Sequence, residues 1–476
     1  MNEKSSQTKR RPALWAWIVI VLVGLPMLLC GGGVTWFLYR QSVADQQLQT
    51  RLAEYTAQGL PIDDATLQQY YQQQTDATNA DEWVRLLTKI DDIPDPELEG
   101  LPYVDASTDP PGLRDAWPNE ADAKELLGRL DPELARLREL AKSNRSVTFP
   151  RDFDGFATLL PNAQRVRIAL RFFSLDHLVA FREGDFARQV ADIDAMIGLA
   201  IVSRDDPCVV SNLMAIATHQ LMVERLQETL ATSHTDARAC RKLRQRLGQF
   251  DDYQRIFANG MIGERAVWLP VFQDVQRIVD SGDGLSIPPG VSRSSDALYF
   301  LKKMDALDSF DSTSLDKFLK DARQWDAELE SEIKQSSPFT TLDRLISQMT
   351  LPALGPVPSV FGRQQVANRI GKVALAIREF EADHGRFPNN LDELTDVGLV
   401  LEEVAPPFAD RFGYRIEDGD ALLWCYDVTS DEFQDGSIQL PPDPPTVTAE
   451  DGNNRELWSW RLPPADELLA PIKATP

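Results

Sequence analysis

From Pro12 to Tyr39 no position carries a charge, and Arg11 and Arg40 close the stretch at either end. A helix needs about 20 apolar residues to cross roughly 30 Å of hydrocarbon. Leu14–Leu29 supplies most of that length, with Trp15, Trp17, Trp36 and Tyr39 near its two ends, where amphipathic rings prefer to lie. The pattern therefore predicts a transmembrane helix over 12–39. Beyond it the pattern turns helical and polar. Residues 41–60 read as a Gln-rich helix stopped by Gly59-Leu60-Pro61, and Asp63 or Asp64 caps the next one. Six prolines between Asp91 and Asn119 break any regular pattern, so 91–119 reads as an irregular excursion over the surface. Asp131-Pro132-Glu133 then predicts a fresh helix start, with proline in its first turn.

The clearest periodicity lies over 161–277. Phe186, Val190, Ile193, Ile197 and Ile201 fall at helical spacing. Gly184 suits the stop of the preceding helix and Asp185 the cap of this one, which makes an antiparallel helical hairpin. A third helix follows Pro207 with Val210, Leu213, Ala217, Leu221 and Leu230 facing inward. Asp236 caps a fourth, with Cys240, Leu243 and Leu247 on its stripe, and a fifth runs through Ile256 and Phe257 toward Trp268. Residues 281–295 form a Gly/Ser/Pro-rich loop, and helices resume at 296–305 and 314–336. Three prolines in 350–360 exclude a second span; that stretch is a linker packed on the body or a patch resting on the membrane. Val366, Ile370, Val373, Ile377 and Phe380 mark a long amphipathic helix over 363–384. Phe412–Ile416 and Ala421–Tyr426 alternate like strands around Asp418-Gly419, a hairpin signal, and Leu457–Leu462 reads as a last strand against them.

The predicted fold is mainly α: an N-terminal transmembrane helix, an antiparallel helical array, then a small C-terminal α+β domain. In residue terms there is a tail at 1–11 and the span at 12–39. The helical domain covers 40–340 with its insert at 91–119. A Pro-rich linker at 341–362 leads to the α+β module and tail at 363–476.

Charge sets the orientation. Lys4, Lys9, Arg10 and Arg11 precede the span and only Arg40 follows closely, so the N-terminus is expected in the cytoplasm and the bulk across the cell inner membrane. Two other readings stay open. Gly31 and Gly33 could mimic a signal-peptide cleavage site, and Cys30 could be lipidated, although Leu29 before it is not small. The whole chain has a net charge of −24. The first 40 residues hold five bases and one acid, which leaves −28 on the remainder. Such a surface repels phosphate backbones, so no nucleic acid is expected as partner. Membrane lipid, through 12–39, and other envelope proteins are. Three of the four cysteines lie in the body. Cys208 and Cys240 are the plausible pair for a single bridge; small buried apolar side chains are the other reading.

One module resembles a known family. Asp383, Gly385, Phe387, Pro388, Leu391 and Leu394 follow the long helix and precede the hairpin. This order is similar to the globular part of the type II secretion major pseudopilin. The likeness implies an α+β fold and association with a secretion or pilus-like assembly. In that family the long helix continues the membrane helix, whereas here the helical body intervenes, and the prepilin-peptidase pattern is absent before Ala13. Family pseudopilins hold calcium after the hairpin, which implies Asp431, Glu432, Asp435, Asp443, Asp451 and Asn453 within Asp427–Asn454 as candidate oxygen ligands. As a whole the chain resembles singly anchored bacterial proteins with such a module at the C-terminus, a likeness that carries no function. The helical array resembles tetratricopeptide-like stacking in architecture, without that family's repeat signature.

Candidate chemistry is sparse. The four histidines, His177, His219, His234 and His384, fall in no metal-ligand spacing, and no nucleophile elbow or phosphate loop occurs. No catalytic residue is assigned and no enzyme is expected. Glu264-Arg265 is the charged pair that stands out, with a structural ion pair as its first explanation. Three functional expectations follow. A scaffold or interaction protein of the envelope predicts an apolar groove on the array. A calcium-dependent binding module predicts converging oxygens in 427–454. An exported hydrolase of envelope polymer predicts a deep pocket with two acids or a His–acid pair.

Overall fold

The computed structural model describes residues 25–112, 115–155, 158–232, 236–273, 293–311, 313–400, 405–406, 411–426 and 457–465. The tail at 1–11, the first half of the expected span, most of the loop 281–295 and the proposed calcium stretch 427–454 lie outside them. Among the described residues no helix is long and apolar enough to cross a membrane.

The chain is mainly helical, with one small sheet at its C-terminal end. Helix α1 (Leu25–Ala57) emerges from the uncharged stretch and is followed by α2 (Asp64–Gln74), α3 (Ala80–Asp91) and α4 (Glu120–Leu140). Asp63 caps α2 through a capping box with Thr66. The insert before α4 is irregular, with one short turn of helix at Asp95–Leu98. Next come α5 (Pro161–Glu183), α6 (Phe186–Val202), α7 (Val209–Thr232), α8 (Ala237–Leu247) and α9 (Tyr253–Gln273). They are followed by α10 (Arg293–Asp308), α11 (Leu315–Lys334) and α12 (Val357–His384). Gly184 adopts the left-handed conformation and Asp185 accepts from Arg188 N–H, so the α5–α6 corner forms from the residues that predict it. Asp236 likewise caps α8.

Strands β1 (Gly413–Glu417), β2 (Asp420–Tyr426) and β3 (Leu457–Leu462) form an antiparallel sheet in the order β1-β2-β3. Asp418 and Gly419 both have positive φ between the paired Glu417 and Asp420, the twist that a two-residue hairpin favours.

Three expectations need correction. Helix α4 does not restart at Pro132 but runs through it. The buried stripe of Ala123, Leu126, Leu127, Leu134, Leu137 and Leu140 continues across the proline, and burial of that stripe outweighs the local penalty. Residues 341–362 pack on the body, one of the two settings expected for the Pro-rich linker, but they are helical rather than a linker. They form short helices at Leu345–Thr350 and Leu351–Leu354 and then the first turns of α12, with Pro356 and Pro358 at its start, where a missing N–H costs nothing. Helix α7 meets its predicted stripe in part: Leu230 is buried and Leu213 and Leu221 pack against the core, but Val210 and Ala217 are exposed, and Ile216, Met222, Val223 and Leu226 are buried instead.

Helix α12 is not a half-exposed amphipathic helix. Its stripe from Val366 to Phe380 is buried, and so are Gln365, Asn368, Arg378 and Glu379 on its polar side. It packs against α7, α8, α11 and β2, and those four polar side chains find partners. Gln365 donates to Phe250 O at 2.7 Å and Asn368 to Leu247 O at 3.1 Å; Glu379 accepts from Arg241 at 2.6 Å and from Arg244 at 2.9 Å. One continuous apolar core reaches from Leu48 in α1 to Leu462 in β3.

Candidate functional site

Helix α9 carries the sequence Asn259-Gly260-Met261-Ile262-Gly263-Glu264. The two glycines lie one turn apart and leave a bare strip of backbone. The segment Pro207–Asn212, which leads into α7, lies on that strip: a Cβ on Gly260 would stand 2.4 Å from Asn212 Oδ1. This close approach puts Glu264 beside the first turn of α7. Its carboxyl faces Val209 N–H and the indole N–H of Trp268, one turn further along α9, and both favour its charged form.

Glu264 lines a cleft of about 510 Å³, within the range that holds small ligands. The walls are mostly apolar: Val210 and Leu213 from α7, Trp268 from α9, Leu160 before α5, and Leu354 and Val357 at the start of α12. One large apolar side chain of the wall stands in solvent: Val210 is 54% exposed. Val210, expected in the core, is thus a wall of the cleft.

The electrostatics are simple. Among the described residues no lysine or arginine lines the cleft. Burial pushes the Glu264 carboxyl up to about 7, against the two N–H groups that favour its charged form. Cys208 is the other titratable group there. Burial pushes its thiol up to about 12, helped by the negative charges of Asp206 and Glu264, so it is not a nucleophile at neutral pH. Cys208 and Cys240 are not joined, so the plausible bridge between them is not made.

Glu264 and Arg265 do not pair with each other. Adjacent helix positions point in different directions. Arg265 turns away from the cleft, lies over the Tyr55 ring at 4.3 Å and donates to Asp308 at 3.0 Å. No histidine lines the cleft. His177 is buried against Thr229 and desolvation takes it down to about 3; His219 is buried against Asn368 and falls to about 4. His384 stacks on Phe380, and His234 lies outside the described residues.

A second depression lies on the other side of Leu160. Arg151 pairs with the buried Asp206 and stacks on Tyr71 at 4.2 Å. With Ser203 and Ser211 they line a void of about 10 Å³, close to the space of one water. Outside it a shallow polar groove of about 760 Å³ passes Gln68, Asn79, Asp81 and Asp152. Both acids are exposed, so neither has the shielded setting that a proton-donating carboxyl needs.

Among the described residues no cluster of three or more His, Cys, Asp or Glu is placed to hold a metal ion. The cleft escapes sequence reading because its walls come from four separate segments. The one local signal is the glycine pair before Glu264, which marks a close backbone approach. No family model, no curated protein and no solved structure matches this chain.

Proposed function

We propose that the chain is an interaction protein of the cell envelope. It is held in the inner membrane by residues 12–39, with its N-terminus in the cytoplasm and its bulk outside. The apolar cleft between α7, α9 and the start of α12 is its binding surface. The observation that carries this reading is the open apolar wall of the cleft. Val210, 54% exposed, and the other apolar groups along the cleft cost solvation free energy in the free protein, and a partner or ligand that covered them would recover it. An association with a secretion or pilus-like assembly belongs to the same proposal. The order of long helix, left-handed Gly385, short helix Leu391–Val397 and antiparallel hairpin supports it. Because α12 is enclosed by the array, contact with such an assembly falls to the cleft or the sheet edge. The hydrolase reading has less support: among the described residues Glu264 is the one carboxylate along the cleft.

Photo-crosslinking in intact cells tests the proposal. One probe replaces Val210 on the cleft wall; a control probe replaces Glu330, exposed on α11. The expected result is a discrete crosslinked species from Val210 that Glu330 does not give. No crosslink from Val210, or the same products from both, overturns the assignment of the cleft.

A further inference from the structure

Among the described residues the cleft is apolar with one acid in it, and no lysine or arginine pairs with that acid. Its carboxyl has about four acceptor positions. Val209 N–H and the Trp268 indole N–H face it from the protein side. The remaining acceptor capacity is open to the cleft that Glu264 lines. A half-buried carboxylate without a counter-ion is costly when charged, and above the pH at which a proton neutralises it a ligand can bring the missing cation. Trp268 faces the same carboxyl, and indole rings attract cations. The field of the body works the same way. A net charge of −28 beyond residue 40 raises the local concentration of cations and repels anions.

We infer that the cleft binds an aliphatic ammonium ion, with the charged head on Glu264 and the chain against Val210, Leu213, Trp268 and Leu354. This rests on the cleft being the binding surface, and it adds the chemical class of the ligand. An ammonium head offers three N–H donors for the open acceptor positions. A carboxylate of the same chain length would meet Glu264 as a like charge. A neutral alcohol would gain the apolar contact and at most one hydrogen bond.

The test is titration calorimetry on the full chain in lipid nanodiscs, with empty nanodiscs subtracted. The probes are hexylammonium, hexanol and hexanoate at pH 8, against the wild type and Glu264→Gln. Gln keeps the shape and removes the charge. The expected result is that hexylammonium binds the wild type at least tenfold more tightly than hexanol, and that hexanoate binds more weakly than either. In Glu264→Gln the ammonium and the alcohol then bind alike. Equal affinities for hexylammonium and hexanol in the wild type would overturn the ammonium assignment and leave the apolar binding surface standing. An ammonium preference that survives in Glu264→Gln also overturns it, because the cation then sits elsewhere. Absence of binding by all three probes overturns both the ligand class and the binding surface.

Discussion

Gly263 faces the carbonyl of Pro207 so closely that a Cβ built on it would lie 1.7 Å from that oxygen. The obstacle is backbone on both sides, so no side-chain rotation relieves it. Gly263→Ala must push α9 away from the start of α7, and overpacking of this kind costs about 1–3 kcal/mol or more. A lower Tm is the expected result. Gly128, on the exposed side of α4, has nothing within 4 Å of an added Cβ. Gly128→Ala should instead gain up to about 1 kcal/mol of helix stability. Thermal unfolding of the two variants side by side checks the contrast; equal Tm values would mean that α9 and α7 are not in contact.

The Glu264 carboxyl stands at about 7 in the fold against its usual 4.5. The folded state therefore holds this proton more tightly than the unfolded chain does. The stability so contributed is complete below about pH 4.5 and is lost as pH rises through 7. Glu264→Gln is neutral at every pH. It should gain on the wild type by about 1–3 kcal/mol between pH 4 and pH 8. Urea denaturation at the two pH values measures this. A difference that stays constant with pH would place the carboxyl in water.

Pro132 sits inside α4 on its exposed side and denies Gly128 O its helical donor. Pro132→Ala should restore that bond, remove the ring clash and raise stability by about 1–3 kcal/mol. Chemical denaturation reads the gain. A loss of stability would mean that the proline marks a true helix boundary.

Arg378 ties three parts of the chain together. It donates to Leu230 O at the end of α7, to Pro463 O after β3 at 2.7 Å, and to Glu381 at 2.6 Å; Glu381 in turn accepts from Ala465 N–H at 2.8 Å. Arg378→Met would leave Glu381 buried without its cation and cost about 3–5 kcal/mol. Limited proteolysis should then cut near residue 463 well before the wild type is cut there. Unchanged protection of that segment would refute the tie.

Most helices can be read from the sequence because their signals are local. Asp63, Asp185 and Asp236 are caps whose partners lie three residues away, and the Gly184 stop and the Asp418-Gly419 hairpin need only their own backbone conformation. The misreadings share one cause. Pro132 reads as a helix start because a local penalty was not weighed against burial of leucines on both sides of it. Val210 reads as core because a stripe at helical spacing does not say which neighbour it faces. Arg378 reads as the polar, solvent side of α12, yet it is 3% exposed. A guanidinium can be buried when distant carbonyls receive it, and those carbonyls belong to residues far away in the chain.

The sequence by itself determined the helical class, the caps and turns, the C-terminal hairpin and the uncharged stretch before Arg40, all of which follow from interactions within a few residues. Only the tertiary structure decided that α12 is enclosed by the array, that Glu264 and Arg265 serve different neighbours, and that an apolar cleft opens around one carboxyl. Those features depend on how Gly260 and Gly263 let two distant segments meet, and the free energy of such a contact is shared between residues that no local pattern connects.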